Sequence, residues 1–337
     1  MASQLALKSR INSTTSLGKI FNAQEMIASS HIAKARNVAL DAKPYTDAIF
    51  DAVQALAAHT DIDHPIVKTK DDGNPRVAVL ALTADRGMAG AYTSSIIRET
   101  EGLLARLEAE GKEPQLYVYG RRGVTYYKYR NRKVAGTWEG ESDHPGVPVA
   151  KAISDTLLDA YMASEDKGGV NELYIVFTEF MNMVVQRVRV LRMLPVQIVR
   201  QGKPGELGSS ATEDSGNAAA VEAPVPTAPD SADTPADTAA FAQADNVSPL
   251  YSFEPSLQEV LDAILPKYIQ ARIHECLLTA AASETASRQN AMHTATDNAN
   301  NLIDSLTREL NASRQAAITQ ELTEIIGSAD ALNKQEE

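Results

Sequence analysis

The segment from Ser256 to Ile326 contains no glycine and one proline, and an apolar residue recurs about every three to four positions. That spacing is typical of an α-helix, and at about 1.5 Å per residue roughly 70 residues form a rod on the order of 100 Å long. The apolar positions lie on one stripe, as in a two-stranded coiled coil, so the helix requires a partner. They include Leu257, Leu261, Ile264, Tyr268, Ile273, Leu277, Leu302, Leu306, Leu310, Leu322 and Ile325.

Residues 1–60 supply a candidate partner for this helix. Apolar residues recur at helical spacing from Ser3 to Lys43, although Gly18 weakens the pattern. Pro44 is expected to kink or end the helix, and the residues that follow predict that it resumes to about His59. We therefore expect residues 1–60 and 256–326 to pair as an antiparallel coiled coil. Small residues in the centre of the second helix predict a close approach of the two axes: Ala280, Ala281, Ala282, Ala286 and Ala291.

Residues 76–200 show a different pattern, in which short apolar strands alternate with helices. This order predicts a small Rossmann-like α/β domain with a mainly parallel sheet, so the fold class is α/β with a long coiled coil. The predicted strands are Arg76–Thr83, Gln115–Tyr119, Val134–Trp138, Glu172–Phe177 and Met183–Val190. The predicted helices are Tyr92–Glu110, Arg121–Arg130 and Val149–Ser164.

Residues 201–247 separate this domain from the last helix and are rich in proline, alanine and acidic residues. They contain eight carboxylates against Lys203 alone, and Phe241 is the single aromatic residue. Such a segment buries too little apolar surface to offset the entropy of ordering, which predicts a disordered acidic insert. It carries more than half of the formal net charge of −12.

Several classes of function lack support in the sequence. The loop Thr83–Gly90 contains glycines but matches neither of the common phosphate-binding motifs, so no nucleotide cofactor is predicted. His274 and Glu275 do not continue into a zinc-protease motif, because Leu278 stands where its second histidine would be. No nucleophile motif is present, and the single cysteine, Cys276, is expected to be a small buried residue. No catalytic residue and no metal site are therefore predicted.

Neither nucleic acid nor a membrane is expected to bind directly. Basic residues alternate with tyrosines between Arg121 and Lys133, but this short stretch is better interpreted as a solvated or partner-facing helix surface. No run reaches the roughly 18 apolar residues that a membrane span requires, and the N-terminus lacks the apolar core of a secretion signal. A cytoplasmic chain is expected.

Five strings resemble the gamma subunit of F-type ATP synthases, of a bacterial and specifically actinobacterial type. The most specific is Arg314–Gly327 (RQAAITQELTEIIG), and Ala295–Ala299 is similar to a second family motif. Further agreement lies in the first helix, after the first strand and before the last helix. These stretches are Lys19-Ile20 with Ala23 and Glu25–Ser30, Thr83–Gly87, and Tyr251–Pro255.

The resemblance implies a rotor rather than an enzyme. In that family the paired helices form a shaft inside a ring of alpha and beta subunits, while the α/β domain and the lower coiled coil bind epsilon and the c-ring. Proton flow turns the c-ring, and the asymmetric shaft drives the catalytic beta sites through their states. The chain would then lie peripherally on the cytoplasmic face of the cell membrane and contact the membrane only through the complex.

The resemblance also implies roles for individual residues. A contact with beta is implied for Arg314, Gln315, Thr319, Glu321, Met26, Asp85 and Arg86, although Asp85 and Arg86 could instead close the sheet. An apical bearing in an apolar sleeve is implied for Ile318, Leu322, Ile325 and Ile326, for which an ordinary coiled-coil core is the alternative. A foot toward epsilon and the c-ring is implied for Tyr251, Phe253 and Glu254.

Some positions depart from the family pattern, and two other functions stay open. Gln24 replaces a common methionine, Ala89 a common cysteine and Asn22 a frequent lysine, so contacts near Gln24 are not assigned. Plant chloroplast relatives carry a regulatory cysteine pair near the insert, which a single cysteine excludes here. The alternatives are a coiled-coil structural adaptor with an α/β binding domain, and a small nucleotide-dependent enzyme.

Overall fold

The computed structural model of the chain describes residues 4–59, 73–164, 167–195 and 257–333. The predicted insert 201–247 and the predicted foot residues Tyr251, Phe253 and Glu254 lie outside the described residues. In chain order the elements are α1 (Gln4–His59), β1 (Arg76–Leu82), α2 (Tyr92–Ala109), β2 (Glu113–Tyr119), α3 (Arg121–Tyr129), β3 (Gly136–Trp138), α4 (Val147–Met162), β4 (Glu172–Phe180), β5 (Gln186–Leu194) and α5 (Leu257–Asn333).

The five described strands form one sheet in the order β3-β2-β1-β4-β5. The pairs β1–β2, β1–β4 and β2–β3 are parallel, and β5 runs antiparallel to β4. The central strand β1 is buried on both faces, as expected for a parallel sheet covered by helices. The predicted α/β class with a mainly parallel sheet is confirmed.

Side chains of β1 alternate between two apolar cores, because successive residues of a strand point to opposite faces. The odd-numbered residues 77–81 pack with α2 and α3. The even-numbered residues 78–82 pack with α4 and with the part of α5 that contains Leu265, Ile273 and Leu277. The long C-terminal helix therefore belongs to the core of the α/β domain as well as to the coiled coil.

Helices α1 and α5 pair in opposite directions, as predicted. Residue numbers rise along α1 as they fall along α5, so the helices are antiparallel, and the register between them stays constant along the pair. Three contacts define it: Gly18 with Ala299, Glu25 with His293, and Phe50 with Tyr268. Leu7, Ala28 and Ile32 of α1 are buried at this interface or beside it.

The alanine tract of α5 is buried on more sides than a two-helix pair requires. Residues 280–286 are all buried. The Tyr92 hydroxyl donates a hydrogen bond to the Ala280 carbonyl, and the Ser283 hydroxyl donates one to the Thr178 carbonyl. Small side chains are thus needed here because α5 runs between α1 and the α/β domain, in addition to the close helix pairing that the sequence predicts.

Pro44 does not end the first helix, which runs without interruption from Gln4 to His59. A proline inside a helix removes one backbone hydrogen bond, here the one to the carbonyl of Leu40. Packing of the following turns offsets this loss, since Val53 is buried and the Phe50 ring stacks on Tyr268 at 5.9 Å between centroids. The expectation that the helix could stop at Pro44 was wrong because tertiary contacts outweigh one missing bond.

Strand β5 begins three residues later than predicted, at Gln186 rather than at Met183. The carboxamide oxygen of Asn182 accepts hydrogen bonds from the backbone N–H groups of Val184 and Val185, at 2.9 and 2.7 Å. This turn uses residues whose β-propensity predicted a strand. At the other end of the chain, α5 continues past the predicted end at Ile326 as far as Asn333.

Candidate partner-binding surface

The C-terminal part of α5 extends beyond the helix pair. Gly18 lies against Ala299, so on the same register Gln4, the first described residue of α1, falls beside the turn of α5 that contains Arg314. From there α5 continues to Asn333, which at about 1.5 Å per residue adds roughly 30 Å of helix. We call residues 314–326, whose side chains the structure describes and which are all exposed except the half-buried Ala317, the tip.

Large apolar side chains of the tip face solvent in the isolated chain. The exposed fractions are 48% for Ile318, 55% for Leu322, 64% for Ile325 and 61% for Ile326. Of the two possibilities that the sequence left open for these residues, a core position between α1 and α5 is wrong, because α1 does not reach them. A run of exposed apolar residues on a single helix is typical of a surface that a partner covers.

The polar residues of the tip are also exposed. Within the described part of the chain, the Arg314 guanidinium makes no ion pair, and the Thr319 hydroxyl bonds only the Gln315 carbonyl of its own helix, at 3.0 Å. Gln315 and Glu321 are exposed in the same stretch. Their donors and acceptors are therefore available to another chain.

The sequence left open whether Asp85 contacts another subunit or closes the sheet. It is buried, and its carboxylate accepts backbone hydrogen bonds from Arg121 at 2.8 Å, Gly140 at 3.0 Å and Ser142 at 2.9 Å. These bonds join the end of β1 to the start of α3 and to the loop after β3. The geometry favours closing of the sheet over a contact with another subunit.

Arg86 and Met26 lie on the surface, away from the tip. The Arg86 side chain is 70% exposed, and its Nη1 atom lies 3.5 Å from Oδ2 of Asp143. Met26 is 68% exposed on α1, beside Glu25, whose carboxylate contacts His293 of α5. The structure does not bring either residue close to Arg314.

Polar contacts that were not predicted from the sequence hold α5 against the α/β domain, and we call them the junction. Besides the bonds of Tyr92 and Ser283, the Asn290 side chain donates to the Met183 carbonyl at 2.7 Å. The Ser287 hydroxyl contacts the Gln186 side chain at 3.3 Å. Ser, Thr and Glu within a buried stretch of the alanine-rich helix are the sequence signal that could have indicated these contacts, since buried polar groups require partners.

Glu284 and Arg288 are the charged members of the junction. They form an ion pair one turn apart in α5, and Arg288 Nε also donates to the Gly87 carbonyl at 3.5 Å. Burial raises the pKa of the Glu284 carboxyl, and the Arg288 guanidinium counteracts that shift. Burial likewise raises the pKa of the Cys276 thiol to about 12, so this thiol is unreactive near neutral pH.

The basic and aromatic stretch after β2 does not form a continuous exposed platform. Tyr127 is fully buried, whereas Tyr129 is 89% exposed. Arg132 pairs with Glu101 at 3.1 Å and with Glu108 at 2.9 Å. None of the helices that the structure describes has an apolar stretch long enough to cross a bilayer.

An antiparallel pair of long helices, with an α/β domain attached near one end and a single helix exposed at the other, defines the chain as a coiled-coil stalk protein. Residues 3–332 match the model of the ATP synthase family. The ATP synthase gamma chain of Bifidobacterium adolescentis is 74% identical over 100% of both chains, and that of Beutenbergia cavernae is 48% identical over 98% of each.

Two solved structures support the fold. A chain of the Euglena gracilis mitochondrial ATP synthase has a TM-score of 0.59 at 14% identity, covering 99% of this chain and 96% of that chain. A chain of the Tetrahymena thermophila central stalk and c-ring has a TM-score of 0.53 at 16% identity, covering 82% of this chain and 99% of that chain. From the sequence relatives, the chain belongs to the ATP synthase gamma-chain family. The predicted family, fold class and function as a gamma subunit are thereby confirmed.

Proposed function

We propose that this chain transmits torque in an F-type ATP synthase, as a rotor that performs no catalysis itself. It would join a proton-driven c-ring to a catalytic ring of alpha and beta subunits, with epsilon bound near the foot, on the cytoplasmic face of the cell membrane. Tyr251, Phe253 and Glu254 remain the proposed foot residues from the family resemblance.

The observation that carries this proposal is the exposed apolar tip beyond the helix pair. Ile318, Leu322, Ile325 and Ile326 would turn inside an apolar sleeve of the ring, where few directional bonds resist rotation. Arg314 and Gln315, at the base of the tip, would hold a loop of beta, with Thr319 and Glu321 beside them. An arginine suits this role because its planar guanidinium can bind a carboxylate at two points and thereby define an angle.

Torque also requires that the shaft does not turn within its own domain. The junction supports this requirement, since Tyr92, Thr178 and Met183 of the domain bond to α5 directly. The shaft is asymmetric because it is an antiparallel helix pair along most of its length and a single helix at the tip. In each rotational position an asymmetric shaft can bind the surrounding beta subunits with unequal free energies. Coupling between rotation and the beta sites requires such a difference in binding free energy.

The proposal is tested by assembling the full chain with alpha and beta subunits and measuring ATP hydrolysis. We expect an active complex, and we expect the double variant Arg314→Ala with Gln315→Ala to lower turnover while helix content by circular dichroism is unchanged. Arg308→Ala is the matched control, because Arg308 is also exposed on α5 but lies below the tip. Failure to assemble where an established gamma chain succeeds would overturn the proposal, and equal turnover of all variants would remove Arg314 and Gln315 from the contact.

A coiled-coil adaptor is the second candidate, because exposed apolar residues at the tip fit any helix-binding partner. Sedimentation separates the two functions. A rotor forms a defined complex with alpha and beta together, whereas an adaptor would sediment unchanged in their presence.

A further inference from the structure

Three side chains from two separate parts of the fold converge beside the helix pair. His31 lies on α1, while Asp143 and His144 lie in the loop between β3 and α4. One possible ligand atom from each residue lies within 4.8 Å of the other two. We propose that these residues bind one Zn²⁺ ion, which ties α1 to the α/β domain. We call them the triad.

The types of ligand fit zinc. Two imidazoles and one carboxylate are a recognised zinc ligand set, which leaves a fourth position for water. Oδ1 of Asp143 lies 3.7 Å from Nδ1 of His144. Neighbouring ligands of a tetrahedral ion with bonds of about 2.0 Å are roughly 3.3 Å apart, so this pair needs only a small adjustment.

The orientation of His31 is also suitable. Its ring lies 5.2 Å from the His144 ring between centroids, and the two planes are nearly perpendicular at 89°. His31 is on a different element from the other two ligands, and one of its ring nitrogens already lies within 4.8 Å of a ligand atom of each. The ion would then connect residues 31 and 144, which are far apart in the sequence.

The loop that carries Asp143 and His144 is held by hydrogen bonds from its backbone N–H groups. The Ser142 N–H donates to Asp85, and the His144 N–H donates to the Glu141 carbonyl at 2.8 Å. Arg86 lies 3.5 Å from Oδ2 of Asp143, which leaves Oδ1 turned toward His144. A carboxylate anchored through its second oxygen is the usual arrangement around a metal ligand.

The space around the triad indicates what the ion would do. A cavity of about 110 Å³ separates α1 from this loop and from α5, and it is lined by Lys34, Ala35, Val38, Pro145, Leu278 and Ala281 among others. Direct packing between α1 and the loop is therefore incomplete here. A metal bridge would hold the shaft to the domain at this point without filling the cavity, although the Lys34 and Arg86 charges reduce its affinity.

The test uses the purified full chain after treatment with a chelator. We expect calorimetry to show tight binding of Zn²⁺ at the triad, and Co²⁺ to give the visible absorption of a four-coordinate site. Zn²⁺ should also raise the melting temperature. Removal of a residue that only hydrogen-bonds a metal ligand typically weakens metal binding by roughly 10–100-fold. His31→Ala and His144→Ala remove a ligand itself, so each should weaken Zn²⁺ binding by more than that.

His293→Ala is the matched control. His293 also lies between carboxylates, with Glu25 at 2.9 Å and Asp297 at 3.7 Å, but these face opposite nitrogens of its ring and cannot share one ion with it. It should bind Zn²⁺ like the parent chain. The proposal is overturned if the parent does not bind Zn²⁺, or if His31→Ala and His144→Ala bind it unchanged while folded by circular dichroism. Neither result bears on assembly with alpha and beta, so this test is independent of the rotor function.

Discussion

Arg288 and Glu284 form an ion pair inside α5, and their exposed fractions are only 8% and 1%. The pair faces the loop that follows β1, where Arg288 also donates to the Gly87 carbonyl. Charges buried so deeply are tolerated only as a pair, because each alone would lose its hydration without compensation. The ion pair is therefore one of the buried polar contacts between α5 and the α/β domain.

Arg288→Ala should destabilise the chain by about 3–5 kcal/mol, because it leaves the Glu284 carboxylate buried without its partner. The double variant Glu284→Met with Arg288→Met removes both charges and should lose much less, since apolar side chains of similar length can occupy the same space. Urea unfolding of the full chain followed by circular dichroism measures both values. Equal losses in the single and double variants would contradict this account.

Gly120→Ala should destabilise the α/β domain strongly. Gly120 has a φ of +99°, and a Cβ atom placed there would lie 2.2 Å from the Thr83 carbonyl oxygen. Gly140 has a similar φ of +106°, but no atom lies within 4 Å of a Cβ placed on Gly140. Gly140→Ala therefore measures the backbone strain alone, which is roughly 1–2 kcal/mol. Thermal unfolding should show a clearly larger loss for Gly120→Ala, and a similar loss in both would mean that the close approach to Thr83 is unimportant.

Leu306 and Leu322 are the same residue type on the same helix in opposite environments. Leu306 is 3% exposed in the helix pair, so Leu306→Ala should lower the free energy of unfolding by about 2–5 kcal/mol. Leu322 is 55% exposed at the tip, so Leu322→Ala should change it by less than about 0.5 kcal/mol. ATP turnover of the assembled complex should nevertheless fall for Leu322→Ala. A large stability loss in the isolated Leu322→Ala chain would show that the tip is packed within the chain.

His274 should make stability depend on pH. Burial lowers the pKa of its imidazole, while a hydrogen bond to the Pro145 carbonyl partly opposes the shift. The folded chain then binds this proton less readily than the unfolded chain. The contribution of neutral His274 to the free energy of unfolding is therefore fully present above pH about 6.5 and is lost as the pH falls below it. His274→Gln keeps a donor for the carbonyl without the titration. The melting temperature of the parent should therefore fall relative to the variant between pH 8 and pH 5.5, and parallel curves would refute the role of His274.

Long periodic elements could be predicted well from the sequence. The stripe through Leu261, Leu277 and Leu306 predicts the C-terminal helix, because apolar residues repeat at helical spacing over many turns. Boundaries were less accurate, as at Pro44 and at the start of β5. In both places local preferences were outweighed, at Pro44 by packing on Tyr268 and at β5 by the side-chain bonds of Asn182.

The roles of single residues depended on where the chain brings them. Asp85 matches a family string, yet its carboxylate is occupied by three backbone N–H groups. Ile318 and Leu322 carry the same apolar pattern as the paired part of α5, yet they lie beyond the end of α1. Periodicity indicates which side chains can be buried, but it does not indicate whether another part of the chain or a partner buries them.

The sequence by itself determined two long helices, an α/β domain between them and membership of a rotor family, because propensity, periodicity and specific strings are local properties of the chain. Only the tertiary structure decided that α5 enters the core of the domain, that its tip is exposed, and that His31 meets Asp143 and His144. Contacts between residues far apart in the sequence depend on the register of the helix pair and on the packing of the sheet against it. Neither the register nor this packing can be read from the residue at any single position of the sequence.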